Sequence, residues 1–343
     1  MMHSMRRIRF LGAFLAAVML LGSCSGSDRG KPQPTASAQA AGQHHRFAVL
    51  QRLRGFLKNH HYTFKIGLTS VLGVPIASVT GAIRERIRER ERASEPQPET
   101  ASARSIALRA SYDARVHHLI SPVEDQGHCG TCAVFAVVGL LETATAVARH
   151  EKVRASEQDL MNCYPDDCKG DVRTSRLLRY LKNSGTGSRD EFQYQKTLQP
   201  CSKKALRCYR LKAYGFVDSQ NEVPTRNALK LGIATYGALA SWMFATPLFE
   251  AYTGDAVFYE NVDRTLFDGA DSKAGGGHEV LLVGWDDDRP YANGKHGAWL
   301  IKNSWGTDWG DRGFAWIAYG SNGIGTDAQW ATVSPERAPG CTL

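Results

Sequence analysis

From Ala133 to Arg149 apolar side chains recur all the way round a helical wheel, with no glycine except Gly139 and no proline. That pattern predicts a buried helix. Pro122, Glu124, Asp125 and Gly127 in front of it are loop formers, so a loop runs into the helix and Cys132 falls in its first turn. Upstream, Phe47, Leu50, Leu53 and Leu57 stand at helical spacing, and a β-branched segment follows around Tyr62 to Val71. Ala82 to Ala93, A-I-R-E-R-I-R-E-R-E-R-A, predicts a charged helix with a solvated face, its like pairs offset by Glu and Arg neighbours at i+3 and i+4. Ser156 suits the cap of a short helix, and Val172 to Lys182 predicts another with Leu177, Leu178 and Leu181 inward. From Leu211 to the end the texture is short β-branched and aromatic segments broken by Gly and Asp. Helices first and strands afterwards predict an α+β architecture.

The two ends of the chain differ in kind. Met1 to Cys24 carries Arg6, Arg7 and Arg9 and then an apolar run from Phe10 to Leu21, too short to span a bilayer comfortably, which reads as a secretory signal. Residues 25–43 are rich in Ser, Ala, Pro, Gln and Gly and predict a flexible tether. The formal charge of +8 belongs to this end. Residues 1–104 hold 16 Lys+Arg and 6 Asp+Glu, or +10, leaving 42 − 16 = 26 against 34 − 6 = 28, or −2, for residues 105–343. The main domain therefore offers no electrostatic reason to bind nucleic acid. At 343 residues and 43% hydrophobic, the chain is long enough to bury a sizeable core.

Chemistry concentrates at three places. Cys132 opens a helix, where unpaired N–H groups and the positive end of the dipole favour a thiolate. His278 lies between a glycine run, Gly275 to Gly277, and an apolar strand, 278 − 132 = 146 residues further on. Asn303 follows, flanked by Trp305 and Trp309. Nucleophilic thiol chemistry needs an imidazole to hold or take the thiol proton and a third group to orient that imidazole. The cysteines have two other conceivable uses. C-G-T-C at 129–132 could be a redox pair, but such a pair follows an apolar strand and this one follows a loop. Cys129, Cys132, Cys163 and Cys168 could form a zinc site, but an exported protein with the His and Asn motifs argues against it.

Q-G-H-C-G-T-C-A-V-F at 126–135 resembles the nucleophile motif Q-G-x-C-G-S-C-W-A-F of the papain-like cysteine peptidases, with Thr131 and Ala133 where that motif has Ser and Trp. G-G-G-H-E-V-L-L-V-G-W-D at 275–286 and W-L-I-K-N-S-W-G at 299–306 resemble the family's histidine and asparagine segments in order and spacing, with Gly277 where an Asn often stands. The resemblance implies a papain-like two-lobe α+β fold, a helical left lobe carrying Cys132 and a β-barrel right lobe carrying His278 and Asn303, with a cleft between. It implies acyl transfer by Cys132 with His278 as acid and base and Asn303 as orienter, an oxyanion donor in Gln126, and Trp305 shielding the His–Asn pair.

S-E-Q-D-L-M-N-C at 156–163, followed by Cys168 and Gly170, resembles a further family motif and implies that Gly170 and Asp171 line the cleft. Glu279 follows the histidine, and Asp327 lies three residues beyond Ile324; by resemblance both border the pocket for the second residue before the scissile bond. Three acids, Asp171, Glu279 and Asp327, would then favour Arg or Lys at that position. Of the 8 cysteines, setting aside Cys24 and Cys132 leaves six. The resemblance pairs Cys129 with Cys168 and Cys163 with either Cys201 or Cys208, and leaves the last pair to Cys341.

By the same resemblance residues 44–104 are a prosegment with a linker at Glu95 to Glu99, and residues 105–343 the peptidase domain, with Ser111 to Arg115 like a mature N-terminal segment. Leu21-Gly22-Ser23-Cys24 resembles the bacterial lipobox, which implies residues 1–24 as a signal and lipidation of Cys24. The protein would be an exported lipoprotein of a bacterial envelope, on the periplasmic or outer-membrane side, or secreted if unlipidated. It would be a monomer acting on protein or peptide substrates, without metal or organic cofactor. The alternatives are a surface lipoprotein that keeps the fold as a binding module, and an amide-transferring enzyme with the same triad.

Overall fold

The structure is a computed structural model that describes residues 36–86, 101–107, 109–164, 168, 170–268, 274–337 and 340–341. The signal, Cys24, the first part of the tether and the linker at 95–99 lie outside the described residues. Met1–Ala41 and Gly42–Leu343 form separate units, and the second holds the fold described below.

Helix α1, Ala36–Asn59, takes in the end of the segment expected to be tether. Its first turns, A-S-A-Q-A-A, are alanine-rich, and alanine's helix propensity outweighs the low hydrophobicity that suggested a loose chain. Only Leu50 of its apolar stripe is fully buried, beside Leu72 and Ala251. The β-branched segment after it contributes a single short strand, β1, Lys65–Ile66, which pairs antiparallel with β5, Tyr252–Thr253. The predicted charged helix does not form where it can be seen. Ala82 is in a parallel bridge to Val172 and residues 83–86 are in no helix or strand. Hydrogen bonds to other segments occupy the backbone groups that a helix would have used, and residues 87–93 lie outside the described residues.

Helix α2, Ala101–Ala107, and strand β2, Ser111–Asp113, lead to the buried helix α3, Cys132–Arg149. The first fifteen residues of α3, Cys132 to Ala146, are all buried, as the all-round apolar pattern requires. Each fully buried Val or Leu there contributes on the order of 1.5–3 kcal/mol. Gly139 is at mid-helix because a Cβ there would lie 2.8 Å from Leu281 Cδ1, so this glycine lets α3 sit hard against the strand that carries His278. Helix α4, Glu157–Cys163, is capped as expected, Ser156 Oγ accepting from Asp159 N at 2.9 Å. Helix α5, Thr174–Asn183, buries Leu177, Leu178 and Leu181.

The second half is a seven-stranded antiparallel sheet in the order β3-β9-β4-β6-β7-β8, with β2 added on β6. Its strands are β3 Ala213–Phe216, β4 Leu239–Ala245, β6 Gly276–Tyr291, β7 Lys295–Lys302, β8 Phe314–Ala318 and β9 Thr326–Thr332. The β-barrel expectation is corrected in one respect: among the described residues β3 and β8 end the order and do not pair, so the sheet stays open. Two helices interrupt the strand texture, α6, Arg226–Tyr236, and α7, Pro247–Ala251. In α6 Leu229, Ile233 and Tyr236 are buried at helical spacing, a stripe masked by the β-branched and aromatic residues around it. Trp242, Trp285, Trp299, Trp305 and Trp309 are all fully buried in the core.

Cys129–Cys168, Cys163–Cys201 and Cys208–Cys341 are disulfides. Of the alternatives left open for Cys163, the one with Cys208 does not form. Arg207 lies against Asp159 and Cys163, donating to both, while its neighbour Cys208 reaches the C-terminal tail. Both partners sit in loops, where sequence spacing carries no preference between them.

Candidate active site

Strand β6 presents His278 and Asn303 directly follows the end of strand β7, so two adjacent, paired strands set the imidazole beside the amide. His278 Nε2 lies 2.8 Å from Asn303 Oδ1. The same oxygen accepts the Ser304 N–H at 2.8 Å, which fixes it as an acceptor and gives Nε2 the proton. The neutral ring therefore keeps Nδ1 bare, and Nδ1 has no hydrogen-bond partner among the described residues. Trp305 lies over the ring with centroids 4.6 Å apart and is itself completely buried. Burial pulls the His278 pKa down to about 4, against the opposing effect of the Asn303 hydrogen bond.

The loop carrying Gln126 joins this pair to the start of α3. Ser304 Oγ donates to Gln126 Oε1 at 2.6 Å, which orients the amide so that Nε2 donates to Cys129 O at 2.7 Å and to Val79 O at 3.2 Å. Cys132 begins α3 three residues beyond Cys129, is completely buried, and is a thiol while the other described cysteines are in disulfides. Hydrogen bonds thus run from His278 through Asn303, Ser304 and Gln126 to the loop before Cys132.

A segment from the N-terminal part of the chain covers this arrangement. Val79 O accepts from Gln126 Nε2 and, at 3.1 Å, from Trp305 Nε1. Gly81 N and Ala82 N donate to Gly277 O at 2.8 and 3.1 Å, Val172 N donates to Gly81 O, and Ile83 N donates to Val172 O. Trp242 Nε1 donates to Ala82 O at 3.0 Å. Gly170 stands so close to the segment that a Cβ on it would lie 2.4 Å from Gly81 Cα. A backbone carbonyl, that of Val79, thus lies on the Gln126 amide.

The three acids expected to share a pocket are placed differently. Glu279 and Asp327 are both buried, whereas Asp171 is exposed in a left-handed conformation. It is Val172, not Asp171, whose backbone pairs with the covering segment. Glu85 joins the two acids from that segment: its N–H donates to Asp327 Oδ2 at 2.8 Å, and its carboxylate accepts from Ser175 N and Ser175 Oγ at 2.7 and 2.8 Å. Burial, then the charges of Glu85 and Asp327, push the Glu279 pKa well above the usual carboxylate range, against a hydrogen bond from Thr174. Arg84 lies over the Trp242 ring at 5.9 Å and pairs with Glu222, whose carbonyl accepts the Asp327 N–H. Glu85, Val172 and Trp242 carry no motif of their own, and Ser304 lies inside one without a chemical signature; their contacts come from what the fold sets beside them.

The profile described as papain family cysteine protease matches residues 108–332, more than half of the chain. The chain belongs to the papain family of cysteine proteases. Cathepsin K of Mus musculus is 30% identical over 217 residues, which cover 62% of this chain and 60% of that protein. Cysteine proteinase 3 of Entamoeba histolytica is 30% identical over 246 residues, covering 68% of this chain and 73% of that protein. The chain spans about three fifths of the length of several papain-family relatives, 61% for the viral cathepsin of Adoxophyes honmai nucleopolyhedrovirus. Among solved structures, a recombinant stem bromelain precursor superposes with a TM-score of 0.67 at 21% identity, covering 86% of this chain and 93% of that one. The digestive procathepsin L 3 of Tenebrio molitor larval midgut gives 0.65 at 23%, covering 88% and 95%. At those identities the two superpositions speak for the papain-like fold.

Proposed function

We propose that this papain-family chain is a cysteine peptidase made as a zymogen, hydrolysing peptide bonds through Cys132, His278 and Asn303. The observation that carries the reading is the continuous hydrogen-bonded path from His278 to the Gln126 loop, with a backbone carbonyl already lying on the Gln126 amide. In the reaction the Cys132 thiol gives its proton to His278 Nδ1, and the thiolate attacks the peptide carbonyl. His278 then protonates the leaving amine, leaving a thioester, and afterwards takes a proton from the water that hydrolyses it. Gln126 Nε2 and the Cys132 N–H receive the developing oxyanion; losing one such donor typically costs on the order of 3 kcal/mol of barrier.

Residues 44–104 act as the prosegment. Two supports stand behind this: residues 79–83 occupy the cleft with their backbone, and the two precursor structures cover 86% and 88% of the chain against 66% for a Carica candamarcensis cysteine protease in complex with E-64. The pocket holding Glu279 and Asp327 selects Arg or Lys as the second residue before the scissile bond, a preference supported by Arg84, a cation already lying over Trp242 beside it. Three disulfides suit an oxidising compartment. With the apolar leader and L-G-S-C at 21–24 they support export as a bacterial lipoprotein anchored through Cys24.

The test is stoichiometric labelling by an epoxide-type thiol inhibitor, before and after removal of residues 25–104, in wild type, Cys132→Ala and His278→Ala. Labelling confined to Cys132, dependent on His278 and appearing on truncation is expected. A folded, truncated protein that takes no label would mean a binding module instead. For specificity, a peptide library in which large apolar residues outperform Arg and Lys at the second position would refute the acidic-pocket reading.

A further inference from the structure

Thr131 occupies the residue before α3, where a threonine hydroxyl ordinarily accepts a hydrogen bond from an N–H of the first helical turn. Here it makes no such bond. Its Oγ1 lies 3.0 Å from the Tyr194 hydroxyl, and Tyr194 in turn donates to the Gln126 carbonyl at 3.0 Å. A phenol has one proton, and it is given to Gln126, so the proton between the two hydroxyls comes from Thr131. The other acceptor near Thr131 Oγ1, Cys129 O at 3.3 Å, also lies in the loop rather than in the helix. The tyrosine is itself fixed by α3: Phe135 meets its ring edge-on, with centroids 4.8 Å apart and planes at 90°.

We propose that Tyr194 is a positioning residue for the thiol chemistry, drawing the Thr131 hydroxyl away from the start of α3 and pinning the backbone of Gln126. Both effects converge on the nucleophile. An uncapped helix start leaves its N–H groups and the positive end of the dipole undiminished at Cys132. A fixed Gln126 carbonyl sets where the side-chain amide of the same residue reaches. The proposal rests on the reading of Cys132 as the nucleophile.

The experiment uses enzyme obtained by processing the full chain, with iodoacetamide alkylation followed against pH and peptide hydrolysis followed in parallel. In Tyr194→Phe the Thr131 hydroxyl is released to cap the helix. Alkylation at mildly acidic pH then falls about fivefold, the order of a helix-dipole effect, and its profile moves to higher pH. The loss in hydrolysis is in kcat rather than KM. Adding Thr131→Val, which cannot cap, brings the alkylation profile back toward that of wild type, whereas kcat stays low because Gln126 remains unpinned. A Tyr194→Phe profile that overlays wild type, or one that Thr131→Val does not restore, overturns the proposal alone. A wild-type Cys132 that titrates as an ordinary thiol overturns the nucleophile reading and this proposal with it.

Discussion

Ser304 has one of the smallest polar side chains in the protein, yet it joins both halves of the proposed site. Its N–H holds Asn303 Oδ1 and its hydroxyl holds Gln126 Oε1, so one residue orients the group beside the imidazole and also the amide proposed to meet the oxyanion. Ser304→Ala removes only the second of these. The Gln126 amide oxygen then loses the hydroxyl that donates to it and the side chain samples other rotamers, so kcat should fall about tenfold with KM nearly unchanged, a fraction of the loss for deleting an oxyanion donor outright. Steady-state kinetics on the processed enzyme checks this, and an equal rise in KM would point to general damage. Cys132, His278, Asn303 and Gln126 could be named as candidates from the sequence because each sits in a motif of several residues. Ser304 was within such a motif but had no chemical signature, and Glu85 came from a segment read as a solvated helix.

At the scale of elements, α7 and β5 are the shelf on which the N-terminal segment rests. Gly67 N donates to Ala251 O, Thr69 Oγ1 bonds Glu250 O, and β1 pairs with β5. Glu250 itself is buried, its Oε1 lacks a hydrogen-bond partner among the described residues, and burial raises its pKa to about 8. A carboxyl raised in the folded state binds its proton more tightly there than in the unfolded chain. Its contribution is whole below the unfolded value of 4.5 and is lost as pH rises toward about 8, a change of a few kcal/mol at most. Calorimetry on Glu250→Gln should show a flatter fall of Tm between those limits than wild type; an unchanged slope would mean that the carboxyl is hydrated in solution. The helices α3, α4 and α5 were legible from apolar spacing and one cap, because burial on a helix face repeats every three to four residues. Helix α6 was not, since its stripe is short and lies among residues of strand-like composition, and the non-helical course of residues 82–86 is set by partners distant in sequence.

The whole molecule in its covered form has two titrating groups that oppose each other. His278, held down to about 4 by burial, disfavours the covered state as pH falls below its ordinary 6.5. Glu279, held well above 4.5 by burial and by Glu85 and Asp327, disfavours that state as pH rises past 4.5. Between those limits the two slopes cancel, so the segment should be held with nearly constant strength there, less firmly in stronger acid through His278 and less firmly toward neutral and alkaline pH through Glu279. Hydrogen exchange at the amides of Gly81, Ala82 and Ile83, corrected for intrinsic rates, reads this directly. Glu279→Gln should remove the alkaline arm and leave the acid one. The two-part, helix-then-strand organisation was visible in the sequence. Whether the sheet closes was not, because closure depends on which strands meet at its ends rather than on the residues inside any one strand.

The hydrogen bonds that hold residues 79–83 against Gln126, Trp305, Trp242, Gly277 and Val172 come from main-chain atoms: the carbonyls of Val79, Gly81 and Ala82 and the amides of Gly81, Ala82 and Ile83. A plug made of peptide groups carries little information about side-chain taste. On the proposed function, the pocket around Glu279 and Asp327 is thus free to change its preferred substrate through mutation while the proposed blockade goes on fitting. The same stretch, supplied to a neighbouring enzyme of this family with a different appetite, should occlude that enzyme as well.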